Sequence, residues 1–186
     1  MEERKGLYRS LGRIAWGYVF IYLNFNLGSI DILPSWAGWL LICSALPGIA
    51  RAGEPSALLL NPLCGLLAAW EAVTWLLTAV GEPTELWGLW LIAAVLTLYV
   101  HFQLFTNLAS AAGRFGCPQR RSLLVLRTVN VVFTTLLSLP LPFDEGGGWL
   151  IWPFLVLSLV IIVRTIVVLT GFRASLRDGM GEEPAQ

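Results

Sequence analysis

The sequence predicts an all-α bundle of six membrane-spanning helices, paired as three hairpins, with both termini on the cytoplasmic side. Three observations carry this expectation. Hydrophobic residues make up 56% of the chain and charged residues 13%, about half the roughly 25% charge of a soluble domain. The apolar residues gather into six stretches, at about 11–30, 36–50, 58–80, 86–110, 122–140 and 148–172. A helix needs about 20 residues to cross the hydrocarbon core, with ~17 as a practical minimum, so all but the second are comfortably long. The third observation is the placing of the basic residues.

The tail before the first span carries Arg4, Lys5, Arg9 and Arg13. That basic start followed by apolar text would also suit a signal peptide. No small-x-small cleavage site follows it, only Asn24-Phe25-Asn26-Leu27-Gly28, so the helix is expected to be retained. The second stretch is short, and charge decides whether it counts. If it spans, Arg51 follows it on the same face as the N-terminal tail. The loop with Arg114, Arg120 and Arg121 and the C-terminal segment with Arg173 and Arg177 then share that face too. The first, third and fifth connections hold only acidic charges: Asp31, Glu82, Glu85, Asp144 and Glu145. Lys and Arg are retained in the cytoplasm, which orients the bundle. Dropping the second span would place Arg9 and Arg13 opposite the later arginines. Six spans are expected, forming a single domain over about 1–172 with a cytoplasmic tail at 173–186 that ends in disorder.

The second, fourth and sixth spans begin alike. Trp36 and Trp39, Trp87 and Trp90, and Trp149 and Trp152 are each spaced i, i+3, hence on one helix face. Tryptophan favours the headgroup level, so the pairs read as an interfacial belt. Repeated helical hairpins are the alternative.

Ionisable residues inside spans cost roughly 2.5–3.5 kcal/mol on insertion scales, so each needs an account. They are Glu71, His101, Arg127 and Arg164. Glu71 shares a stripe with Asn61, Cys64, Thr74 and Thr78, and Arg127 shares one with Asn130, Thr134 and Ser138. Stripes of this kind face other helices or water rather than lipid. Arg127 and Arg164 can snorkel to the inner headgroups. The Glu71 carboxylate is too short for that; it is expected to be protonated, hydrogen-bonded or ion-paired with a residue of the fifth or sixth helix, Arg127 being the favoured partner. His101 is expected to make an interhelical hydrogen bond.

The first connection, from Asn24 to Ser35, is too apolar for a solvated loop and too broken for a helix. It reads as a packed turn in which Asp31 and Pro34 open the second helix. The alternative is an outward polar pocket built from Asn24, Asn26 and Asp31. The run Asn-x-Asn-Leu-Gly-x-x-Asp-x-Leu-Pro and the following Trp-x-Gly-Trp-Leu-Leu-Ile resemble small, uncharacterised integral membrane proteins of Gram-positive bacteria, over about residues 20–45. The resemblance implies a bacterial plasma membrane and carries no activity.

Zero net charge removes the global electrostatic argument for nucleic acid. Cys43, Cys64 and Cys117 form no CxxC pair and have no histidine at ligand spacing, so no metal or other cofactor is expected. No nucleophile elbow, phosphate loop or zincin motif occurs. The expected function is non-enzymatic, either a small transporter-like bundle or an accessory subunit of a membrane assembly. An intramembrane enzyme using Glu71 and His101 on a lipid or embedded peptide is the alternative. The expected partners are the bilayer, anionic inner-leaflet lipids through Arg4, Lys5, Arg9, Arg13, Arg120 and Arg121, and another membrane protein or a second copy.

Overall fold

The computed structural model describes residues 2–22, 26–27, 30–31, 34–81, 87–137 and 151–181. Its α-helices are α1 (Glu2–Tyr22), α2 (Ser35–Arg51), α3 (Asn61–Val80), α4 (Trp87–Arg114), α5 (Arg120–Leu137) and α6 (Ile151–Gly181). A 3-10 turn, Pro55–Leu60, leads into α3. Between α1 and α2, two-residue strands β1 (Asn26–Leu27) and β2 (Ile30–Asp31) pair antiparallel, with Asn26 opposite Asp31. The fold is otherwise all-α among the described residues.

The helix ends depart from the apolar text: α1 ends at Tyr22 and not at residue 30, since Asn26–Leu27 and Ile30–Asp31 pair as strands, and α4 and α6 run past 110 and 172 to Arg114 and Gly181. α1 begins at Glu2, not near residue 11, because Glu2 and Glu3 in its first turn oppose the positive end of the helix dipole. Arg4, Lys5, Arg9 and Arg13 therefore project from a helix instead of a loose tail. α6 continues to Gly181, so the expected tail is helical as far as that residue, and 182–186 lie outside the described residues. α3 stops where Gly81 takes a left-handed conformation (φ 79°), a position that favours glycine.

Among the described residues three helical segments, not six, are long and apolar enough to cross a membrane: Pro55–Val80, Gly88–Arg114 and Trp152–Met180. The others fall short for visible reasons. α1 holds four basic residues (Arg4, Lys5, Arg9 and Arg13) and α5 three (Arg120, Arg121 and Arg127), and α2 has 17 residues.

The closest packing lies between α1 and α2. A Cβ built on Gly38 would stand 2.5 Å from the Gly17 carbonyl oxygen, and one on Gly17 would stand 2.9 Å from that of Gly38. Gly48 lies as tightly against Gly6 and Ser10. Small residues at these two levels let two backbones touch, the usual device where lipid removes the hydrophobic drive between helices.

Contacts at one end of the bundle collect the basic residues. The Arg4 Nη1 donates to the Gly179 carbonyl (2.6 Å), and its guanidinium lies over the Phe115 ring. Arg114 donates to the Ala52 carbonyl (3.3 Å) and Gln119 to the Ser175 hydroxyl (3.0 Å). The first turn of α1, the last turns of α6, the α2–α3 turn and the α4–α5 turn thus meet at one end. At the other end the helices present apolar side chains outward: Val80 is 75% exposed, Ile92 55% and Trp152 70%.

Candidate functional site

Between the two ends lies a seam of polar and aromatic side chains. The Glu71 stripe faces α2. The Cys43 thiol points at the Asn61 carboxamide oxygen (3.5 Å), Cys64 is buried, and the Ser35 hydroxyl donates to Glu71 Oε2 (2.7 Å). Positions 35 and 43 on α2 match 71 and 61 on α3, which is antiparallel register. Thr74 and Thr78 turn back on their own helix, donating to the carbonyls of Trp70, Glu71 and Thr74.

Arg127 is not the partner of Glu71. Its guanidinium lies over the Phe102 ring (4.6 Å) and donates to the Thr106 hydroxyl (3.4 Å), so α4 holds it. The depth of the two residues explains the correction. Arg127 is seven residues nearer the basic end of α5 than Thr134, roughly 10 Å along the helix. Among the described members of that stripe, Thr134 shares a cleft of about 190 Å³ with Glu71, together with Trp70, Trp90, Ala93 and Thr97. The stripes converge, through a different residue.

His101 is 3% exposed and sits in an aromatic cage. Trp39 stacks on it (centroids 5.5 Å apart, planes 22°), Tyr18 approaches to 5.4 Å and Tyr22 to 6.5 Å. Neither ring nitrogen, nor the Tyr18 hydroxyl, has a hydrogen-bond partner among the described residues. The expected interhelical hydrogen bond is not found among the described residues, and ring packing surrounds the imidazole there. Tyr22 instead donates to the Asn130 carboxamide oxygen (2.9 Å), tying α1 to α5, while Asn130 Nδ2 donates back to the Leu126 carbonyl (3.1 Å). An unmade hydrogen bond on a buried polar group costs about 1–3 kcal/mol. His101→Phe should therefore leave thermal unfolding unchanged or raise stability by up to about 2 kcal/mol, because the ring stays and the unpaired nitrogens go. A large loss would mean that a nitrogen is bonded.

The tryptophan pairs divide. Trp39 is 2% exposed and belongs to the cage, so it is no belt residue. Trp36 is half-buried, with its indole N–H unpartnered among the described residues. Trp90 and Trp152 are exposed. The Trp87 side chain and Trp149 lie outside the described residues, as do Asn24 and the side chains of Asn26 and Asp31. The outward pocket expected of those three polar residues lies there too. Pro34 occupies the N-cap of α2, which has no side-chain cap bond.

Several basic residues are already engaged. Arg13 donates to the Ser44 carbonyl (2.9 Å) and Arg173 lies over the Tyr8 ring (4.2 Å). Lys5, Arg9, Arg120 and Arg121 are exposed. Arg164 is exposed as well, on a cleft between α5 and α6. In the α4–α5 turn, burial pushes the Cys117 thiol above its ordinary range and Arg4 partly offsets this, leaving it a poor nucleophile. No group of three or more metal-ligating side chains occurs among the described residues.

Sequence reading found Glu71, His101, Arg127 and Asn130 but missed Tyr18, Tyr22 and Ser35. The spacing of Tyr18 and Tyr22, four apart on one helix face, was the available signal. A double-mutant cycle separates the two accounts of Glu71. Ser35→Ala and Glu71→Gln should couple by about 1 kcal/mol. Glu71→Gln and Arg127→Met should add within about 0.5 kcal/mol in thermal unfolding. Coupling in the second pair alone would restore the ion pair. Compared with known protein families, curated proteins and solved structures, the chain matches none.

Proposed function

We propose that the chain is a multi-pass protein of a bacterial plasma membrane, its six helices crossing with both termini cytoplasmic. It works without catalysis, as an accessory subunit of a larger membrane assembly. The observation that carries this reading is the distribution of polarity. Interior polar groups are divided among separate places and filled in by rings, while large apolar side chains of α3, α4 and α6 face outward. Soluble monomers rarely expose contiguous apolar patches beyond a few hundred Å². A bilayer, or a second membrane protein within it, is the surrounding that such a surface fits.

Orientation follows from charge. The basic end gathers Arg4, Lys5, Arg51, Arg114, Arg120, Arg121, Arg173 and Arg177, and Lys and Arg mark the cytoplasmic side. α5, at 18 residues, is roughly 27 Å long, close to the hydrocarbon thickness, and its arginines extend into the headgroups.

Enzymatic use of Glu71 and His101 would need the two at one reaction centre. Glu71 opens on the cleft with Trp90 and Thr97, and His101 lies one turn beyond Thr97, enclosed by Tyr18 and Trp39. A transport role fits less well than a subunit role, because rings occupy the middle of the seam. In gently solubilised native membranes the protein should migrate in a complex well above its 20.5 kDa. Val95→Trp and Leu155→Trp, on exposed faces, should release the monomer without changing its thermal unfolding. A wild-type monomer in native membranes contradicts the subunit role.

A further inference from the structure

The cleft between α5 and α6, about 340 Å³, combines an apolar wall with two guanidinium groups. We propose that it holds one phospholipid with an anionic head group. Arg121 and Arg164 bind the phosphate, and an acyl chain lies along Val129, Leu157 and Val160. The inference rests on the membrane reading above and names a ligand for one place on that surface.

Both arginines line the one cleft. Gln119 meets Ser175, and α5 and α6 run antiparallel from there, so Arg121 counts to about the level of Arg173. Arg164 is nine residues farther along α6, roughly 13 Å deeper. Its flexible side chain extends from that depth toward the headgroups, the direction in which Arg121 lies. Neither guanidinium has a hydrogen bond or ion pair among the described residues; the ion pair found there joins Arg177 to Asp178. Arg164 thus leaves a cation deep on an apolar helix without a protein anion. Ser122 adds a hydroxyl to the same lining. Both Arg121 and Ser122 occupy the first turn of α5, where unpaired backbone amides and the helix dipole also favour an anion.

The remaining lining is aliphatic and continues away from the basic end, which is the direction an acyl chain takes from a headgroup at that face. Charge at one end and an aliphatic slot beyond it describe a two-part ligand. A free phosphate would satisfy the arginines and leave the slot open. A partner helix would fill the slot and leave the arginines without an anion. A phospholipid of net negative charge satisfies both.

The test uses the purified full chain in neutral detergent and native mass spectrometry. Dioleoyl phosphatidylglycerol, dioleoyl phosphatidylcholine and glycerol phosphate are titrated separately. One phosphatidylglycerol should bind in preference to phosphatidylcholine. Arg121→Gln and Arg164→Gln should each weaken it about fivefold, the expected share of one basic residue at an anionic headgroup. Val129→Trp, which fills the slot and keeps both arginines, should weaken it at least as much. Leu157→Trp serves the same purpose should Val129→Trp lose its helical circular dichroism. Equal retention of phosphatidylcholine overturns the proposal, as does undiminished phosphatidylglycerol binding by Arg164→Gln. Tight binding of glycerol phosphate would make it a soluble-phosphate site, and a dimer broken by Val129→Trp without a lipid adduct would make it a self-interface. Carbonate extraction of the same cells keeps the two readings apart. Protein retained in the membrane pellet with no lipid preference sinks only the lipid site, whereas extraction into the supernatant sinks the membrane reading itself.

Discussion

Gly38→Val should destabilise the protein by about 3 kcal/mol or more, at or beyond the upper end of ordinary overpacking. The reason is the nature of the obstacle. A single added Cβ at Gly38 meets the Gly17 carbonyl oxygen at 2.5 Å and Ile21 Cγ1 at 2.7 Å. A side chain can rotate away from an intruder, but a helical carbonyl cannot without moving its helix. Valine adds two methyls to that collision, so α1 and α2 must separate along the level that also holds Gly17 and Ile42. Thermal unfolding in one detergent checks this, with Gly65→Ala as the control. Gly65 has no heavy atom within 4 Å of an added Cβ, and alanine there should gain up to about 1 kcal/mol from helix propensity. Equal effects of the two substitutions would remove the close contact.

Trp39→Ala should cost about 3–5 kcal/mol, as for other buried aromatic residues. Trp39 is 2% exposed and its indole covers one face of His101. Removing it opens a void beside a histidine whose nitrogens already lack partners among the described residues, and no neighbour on rigid helices can fill a void of that size. Trp152→Ala, at a 70% exposed position, should change unfolding in detergent by less than about 0.5 kcal/mol. The sequence presents the two tryptophans as equivalents, each the second of an i, i+3 pair. Similar losses for both would support the belt reading of Trp39 and contradict the cage.

The contrast shows what could be read from the text of the chain and what could not. Helix number and order are written in apolar runs broken by Pro, Gly and charge, and the short second helix was recognisable by its length. Helix ends were less legible. Hydropathy locates the apolar part of a helix, and both α1 and α6 continue as helices past the apolar part, where capping and helix-forming residues decide. The polar stripes were legible as faces, because 3.6-residue periodicity is a property of one chain segment. Partners on those faces were not, because they depend on the relative depth of two helices. A shift of two turns separates Thr134, which reaches the Glu71 cleft, from Arg127, which is held by Phe102 and Thr106. The His101 cage draws on α1, α2 and α4, and nothing local to His101 announces Tyr18 or Trp39. The α1–α2 glycines are scattered at 6, 17, 38 and 48, and only their antiparallel register makes them one surface.

The central claim is a bundle whose basic end faces the cytoplasm, and cysteine labelling in intact cells tests it most directly. In a chain with Cys43, Cys64 and Cys117 replaced by alanine, single cysteines are placed by Glu85→Cys, Pro118→Cys and Asp178→Cys. Pro118 and Asp178 are exposed at the basic end, and Glu85 lies in the connection between α3 and α4. A membrane-impermeant maleimide should modify the cysteine at 85 in intact cells. It should reach those at 118 and 178 only after permeabilisation. Labelling of the cysteine at 118 from outside, or protection of the one at 85, would contradict the orientation and the six crossings together.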